Sequence, residues 1–155
     1  MEKNIQALIT ASEALEKKVA TLYRLLSRIF PENEMFWFGL ADEEERHAAI
    51  ISSGSEYLLE AGLFPLAALD PDFENIQNTS DSIEGTIKQY AVVSPTLLDA
   101  LIRAIEIELS SSELFYQFAL DLPFNSAPLK FLRTMTGENK NHILKLLDRI
   151  KAIKA

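Results

Sequence analysis

"WFGLADEEERHAAIISSGSEYLLEAG", residues 37–62, is the stretch on which the reading of this chain turns. Its centre, "DEEERH" at 42–47, has the composition of a solvated helix surface. Helical phase separates two populations within it, because neighbours point about 100° apart while residues three or four apart share a face. Trp37, Leu40, Glu44, His47, Ile51, Gly54 and Leu58 recur at alternating spacings of three and four, the pattern of a helix packed in a bundle. Glu44 and His47 fall on this inward stripe; Asp42, Glu45 and Arg46 do not, and Glu43 lies on the flank. The helix is expected to end near Gly62.

The same period extends outward in both directions. Ile5, Leu8, Ser12, Leu15, Val19, Leu22, Leu26 and Ile29 form a stripe that Pro31 closes. A third stripe follows "SPT", with Ser94 as expected N-cap and Pro95 at the first helical position. It runs through Leu98, Leu101, Ile105, Glu108, Ser112, Phe115, Ala119 and Leu122. A fourth starts near Pro128 and carries Leu132, Met135, Asn139, His142 and Leu146, drifting to Ile150 and Ile153. Helices one and two are joined tightly, as are three and four. Between the pairs lie roughly 30 residues rich in Pro, Ser, Asp and Asn, with a short helix expected over 81–91. No strand pattern competes. The expectation is an all-α single domain over 1–155, a four-helix bundle whose long link crosses over so that helices two and three run parallel.

Several classes of function are excluded by composition. The net charge of -8 and the lack of a basic block argue against nucleic acid and anionic membranes as partners. With no cysteine, disulfides, zinc ribbons, iron–sulfur clusters and thiol nucleophiles are ruled out. The first residues carry charge throughout and no apolar run reaches membrane-spanning length, so a cytoplasmic location is expected.

Each stripe carries a polar residue near its middle. Glu44 and His47 are joined by Asn139 and His142 in the same phase, by Glu108, and by Glu16 on a flank formed with Ile9, Tyr23 and Phe30. Taken singly these are ordinary. A Glu beside an apolar stripe usually reaches water at the edge, and a core histidine usually packs and hydrogen-bonds. Tyr23 and Phe115 read as core aromatics, and Trp37 as packing or an oligomer contact. The combination is less ordinary, because both histidines of the chain lie on core stripes with an acid or amide three residues earlier. Buried ionised carboxylates cost several kcal/mol each unless paired or bound to a cation. No permanently charged base lies inward at that level, so a metal is the economical partner.

In "EKKVATLY" (16–23), "EERH" (44–47), "AIEIELSSSELFYQFA" (104–119) and "GENKNHILKLL" (137–147), the chain resembles the rubrerythrin-type branch of the ferritin-like superfamily over nearly its whole length. The resemblance implies a ferritin-like bundle holding two iron or manganese ions between one Glu from each of helices one and three and E-x-x-H from each of helices two and four. It departs in three places. Asn139 stands where the family has Glu, Ile105 where an additional Glu is common, and no CxxC segment is present. No fifth helix of the cage-forming kind follows helix four, so a storage cage is not expected.

The resemblance assigns Glu16 and Glu108 as terminal ligands, Glu44 as a bridge, and His47 and His142 to one metal each. Tyr23 would donate a hydrogen bond to a ligating carboxylate. Iron or manganese suits such donors, with zinc also admissible. The implied function is redox chemistry on peroxide or dioxygen, a peroxidase or ferroxidase type of activity, with an external electron donor. The rival is a bundle whose site has decayed to one metal or none, serving as a helical interaction module that dimerises through Phe36, Trp37 and Phe38. Three carboxylates leave two divalent ions short by one, so the second metal is expected to bind more weakly, unless Glu138 turns inward beside Gly137. An uncompensated Glu44 would also mean that Glu44→Gln stabilises the metal-free protein.

Overall fold

The computed structural model describes residues 2–60, 62, 71–110 and 142–154. Every regular element among them is helical: α1 (Glu2–Ile29), a 3-10 turn (Pro31–Asn33), α2 (Glu34–Leu58), α3 (Phe73–Val92), α4 (Leu97–Glu108) and α5 (142–154). The all-α expectation holds for these residues. None of these helices is long and apolar enough to cross a membrane.

The boundaries follow from local chemistry. Phe30, forced out of the helical region by the following Pro31, takes φ -117 and ψ 77 and ends α1. Pro31 then opens the 3-10 turn, where its missing N–H is not needed. Beyond α2 the chain turns at Gly62, whose φ of 67 is open to glycine at little cost. The third stripe begins two residues later than expected. Thr96, not Ser94, is the N-cap, its hydroxyl accepting from the Asp99 N–H at 3.1 Å. Pro95 holds the preceding backbone extended, which places the cap after it.

The link between the second and third stripes holds a longer helix than its composition suggested. Asp72 caps α3 by accepting from the Asn75 N–H at 3.2 Å, and the helix runs 20 residues rather than beginning at 81. Its buried face is narrow (Ile76, Ile83 and Thr86), and the polar residues of "ENIQNTSDS" hid that period.

α1 packs against both α2 and α3. Two neighbours bury a broader arc than one stripe: Leu15, Val19, Leu22 and Leu26 are buried, and so is the whole flank of Ile9, Glu16, Tyr23 and Phe30. In α2, Trp37, Leu40, Glu44, His47 and Ile51 are buried while Asp42, Glu45 and Arg46 are exposed. Trp37 is fully buried and Phe36 partly so, leaving only Phe38 of that trio exposed, so Trp37 is not available to a dimer surface.

The outward acids are not idle. The Arg24 guanidinium of α1 donates to Glu45 at 2.8 Å and to Asp42 at 2.9 Å, and lies 4.7 Å from the Phe38 ring centroid. These side chains are a third to half exposed, where such pairs contribute little. Glu45→Ala is therefore expected to change stability by no more than about 0.5 kcal/mol, measured by urea unfolding.

Candidate metal centre

Four helices deliver five buried polar side chains to one place: Glu16 from α1, Glu44 and His47 from α2, Glu108 from α4 and His142 from α5. Each is at most 2% exposed. They form two clusters of potential ligands, Glu16–Glu44–His47 and Glu44–Glu108–His142, with the donor atoms of each within 4.8 Å of one another. Glu44 belongs to both. His47 Nδ1 donates to Glu44 Oε2 at 3.1 Å and lies 3.6 Å from Glu16 Oε2. His142 Nδ1 lies 3.0 Å from Glu44 Oε1 and 3.3 Å from Glu108 Oε1. The two carboxylate oxygens of Glu44 thus face different clusters. The imidazole rings stack with centroids 6.0 Å apart.

The i, i+3 spacing of Glu44 and His47 produces one half of this arrangement, since both side chains leave one face of α2. The other half needs three more helices. Asn139, Gly137 and Glu138 lie outside the described residues, as does Phe115. Ile105, at the position of the expected additional Glu, packs partly buried against the hydrophobic core.

Tyr23 reaches the centre from α1, its hydroxyl donating to Glu108 Oε1 at 2.7 Å. One participant was missed by phase reasoning. Glu43, on the flank of α2, accepts from His142 Nε2 and is in turn held by Lys145 Nζ at 3.2 Å. The available signal was its place beside Glu44, about 100° round the helix from the stripe and thus on the flank that meets a neighbouring helix.

Electrostatics define the metal-free state. Burial, together with the Glu44 carboxylate, pushes Glu16 up to about 8. Burial and Glu44 also raise Glu108, against hydrogen bonds from His142 and Tyr23. Burial opposes the charge of Glu44 as well, but hydrogen bonds with His142, His47 and Glu16 hold it well below the usual carboxylate range. Burial disfavours a charged His47, yet Glu16 and Glu44 lift it to about 11. For His142, Glu108, Glu43 and Glu44 outweigh burial and lift it to about 12. Glu43 is lowered by His142 and Lys145 despite its partial burial. At neutral pH both rings are therefore imidazolium, balanced by Glu43 and Glu44, while Glu16 keeps its proton.

The donor set fits divalent metal. Glu16 Oε2 and Glu108 Oε2 are buried oxygens that make no hydrogen bond among the described residues. Carboxylate and imidazole without thiolate suits iron, manganese or zinc. Charge also fits. Displacing the protons of Glu16, His47 and His142 leaves three carboxylates within the two clusters, with Glu43 behind His142 as a further negative charge, against the four charges of two divalent ions.

Comparison of the chain with models of known protein families, with curated proteins and with solved structures finds no match. What class of protein this is rests on the geometry of the centre.

Proposed function

We propose that the chain is a ferritin-like dinuclear metal protein of the rubrerythrin type, with the link between α2 and α4 as its crossover, acting on peroxide or dioxygen with an external electron donor. The observation that supports this best is Glu44, whose two oxygens face two clusters that each add one further carboxylate and one imidazole. That is the arrangement a bridging carboxylate requires when paired ions sit about 3.5–4 Å apart.

When bound, two ferrous or manganous ions would supply the two electrons that split an O–O bond. Glu16 and His47 would hold one ion and Glu108 and His142 the other, with Glu44 shared. Tyr23 fixes the orientation of Glu108 through its hydroxyl. Glu43 keeps the His142 Nε2 protonated and so presents Nδ1 to the ion, as the outer partner of a ligating histidine does. The burial of all five ligands excludes bulk water.

Anaerobic titration with Fe(II) or Mn(II) tests the proposal. The expected result is one tightly bound ion and a second, weaker one, because Asn139 brings no charge and Glu43 acts only through His142 rather than as a ligand. Asn139→Glu should tighten the second. Two tight ions in the unaltered protein, with one lost in Glu138→Ala, would show that Glu138 is the additional ligand. Uptake of no iron, manganese or zinc would leave the helical interaction module as the better reading. Glu43→Gln is expected to lower affinity for the His142 ion by about 10–100-fold while sparing the first, a change read from the same titration.

A further inference from the structure

We infer that Trp37, acting through Tyr23, is the route by which single electrons from an external donor reach the centre; this rests on the redox reading above. Trp37 lies on the inward stripe of α2, two turns before Glu44, and is fully buried. Its ring centroid is 5.8 Å from that of Tyr23, which is equally buried and whose hydroxyl contacts Glu108 Oε1 at 2.7 Å. On its other side Trp37 meets Phe36 edge-on, with centroids 5.2 Å apart. Phe36 is only partly buried, and the guanidinium of exposed Arg149 lies 4.7 Å from its ring. An unbroken line of aromatic contacts therefore joins a ligand carboxylate to the surface.

Packing does not explain the choice of tryptophan. The indole N–H of Trp37 is buried and without a hydrogen bond among the described residues, whereas a buried Trp normally finds a partner. Leaving such a donor unpaired is destabilising, a cost that a phenylalanine would avoid. Indole and phenol are the aromatic side chains most readily oxidised by one electron, and these two stand in series here. Phe36 is not oxidised and serves only as contact to the surface.

The step balances. When hydrogen peroxide has oxidised the centre beyond the trivalent level, which alone is too weak an oxidant for a phenol, Tyr23 would give it one electron while the hydroxyl proton passes to Glu108. Trp37 then returns one electron to the tyrosyl radical, and the proton goes back to the phenol oxygen. With no acceptor for its N–H among the described residues, the oxidised indole keeps its proton as a cation radical, and one electron from the donor restores it. Two passes deliver two electrons, which with two protons from solvent reduce hydrogen peroxide to two waters. Neither side chain is consumed.

The experiment mixes iron-loaded protein with hydrogen peroxide and freeze-quenches it for electron paramagnetic resonance, then follows re-reduction by ascorbate. Because Trp37 is the one tryptophan in the chain, an indole radical is assignable without ambiguity. The expected result is a transient indole signal, absent in both W37F and Y23F, and re-reduction slowed by an order of magnitude in W37F at unchanged metal stoichiometry. Should W37F fail to fold, peptide mass spectrometry of the unaltered protein decides. Peroxide without donor should oxygenate Trp37 in the iron-loaded protein and spare it in the metal-free one. Iron uptake and peroxide consumption with no indole signal, no Trp37 oxygenation and unchanged re-reduction would overturn the relay alone. A protein that takes up no iron would overturn the redox reading with it.

Discussion

Glu44→Gln is expected to abolish binding of the second metal ion and to weaken the first by more than about 100-fold, beyond the ~10–100-fold typical of residues one step removed from a metal. The amide keeps one neutral oxygen and replaces the other with a donor, so it cannot face two cations at once. Glu45→Ala, one residue on and exposed, should bind metal as the unaltered protein does. The same substitution carries a second result in the metal-free protein. Glu44 is the carboxylate that both imidazolium rings share, and its depressed pKa means that it contributes stability above the ordinary carboxylate range, lost only on acidification. Removing it should destabilise the metal-free protein at pH 7 by about 1–3 kcal/mol, somewhat below the ~3–5 of a broken buried pair because the rings can shed protons. This reverses the expectation from sequence. Equal metal affinity in Glu44→Gln and Glu45→Ala would sink the bridging assignment.

The second large effect is one of pH. His47 and His142, lifted to about 11 and about 12, stabilise the metal-free fold fully below their unfolded pKa near 6.5 and lose that contribution as pH rises through the folded values. Glu16, raised to about 8, favours the fold most below the usual carboxylate pKa and less as pH climbs through 8. All three shifts have one sign between pH 6 and 9, so metal-free stability falls across that window. Metal binding runs the other way. It must displace the protons of Glu16, His47 and His142, and each proton displaced strengthens apparent affinity by about tenfold per pH unit. At pH 8, Mn(II) at 100 times its dissociation constant should add about 2.7 kcal/mol, or about 5–10 °C in Tm for a chain of this size. At pH 6 the same concentration should add little. A metal-induced shift that does not change between pH 6 and 8 would contradict proton exchange at the centre, as would calorimetry showing no proton release.

The helical period of α2 was legible because it is local. Whether Glu44 and His47 share a face depends only on the rise and turn of one helix, and the exposed state of Asp42, Glu45 and Arg46 follows from the same geometry. Glu108 and His142 were found by the same rule. Glu16 was harder. Its stripe is the flank of α1, and only the packing of α1 against both α2 and α3 made that flank interior. The α3 start was obscured because its polar face spans most of the circumference, and Thr96 displaced Ser94 as cap because a proline intervened.

Sequence by itself determined that the described residues are helical and that Glu44, His47, Glu108 and His142 turn inward, since periodicity and residue type are properties of single helices. Tertiary structure alone decided who meets whom: that each oxygen of Glu44 faces a different histidine, that Glu43 reaches across to His142, and that Trp37 stacks toward Tyr23. Those pairings depend on the rotation and axial offset of one helix against another. No single-helix period encodes either quantity, and a shift of one residue in either would send the same side chains to different partners.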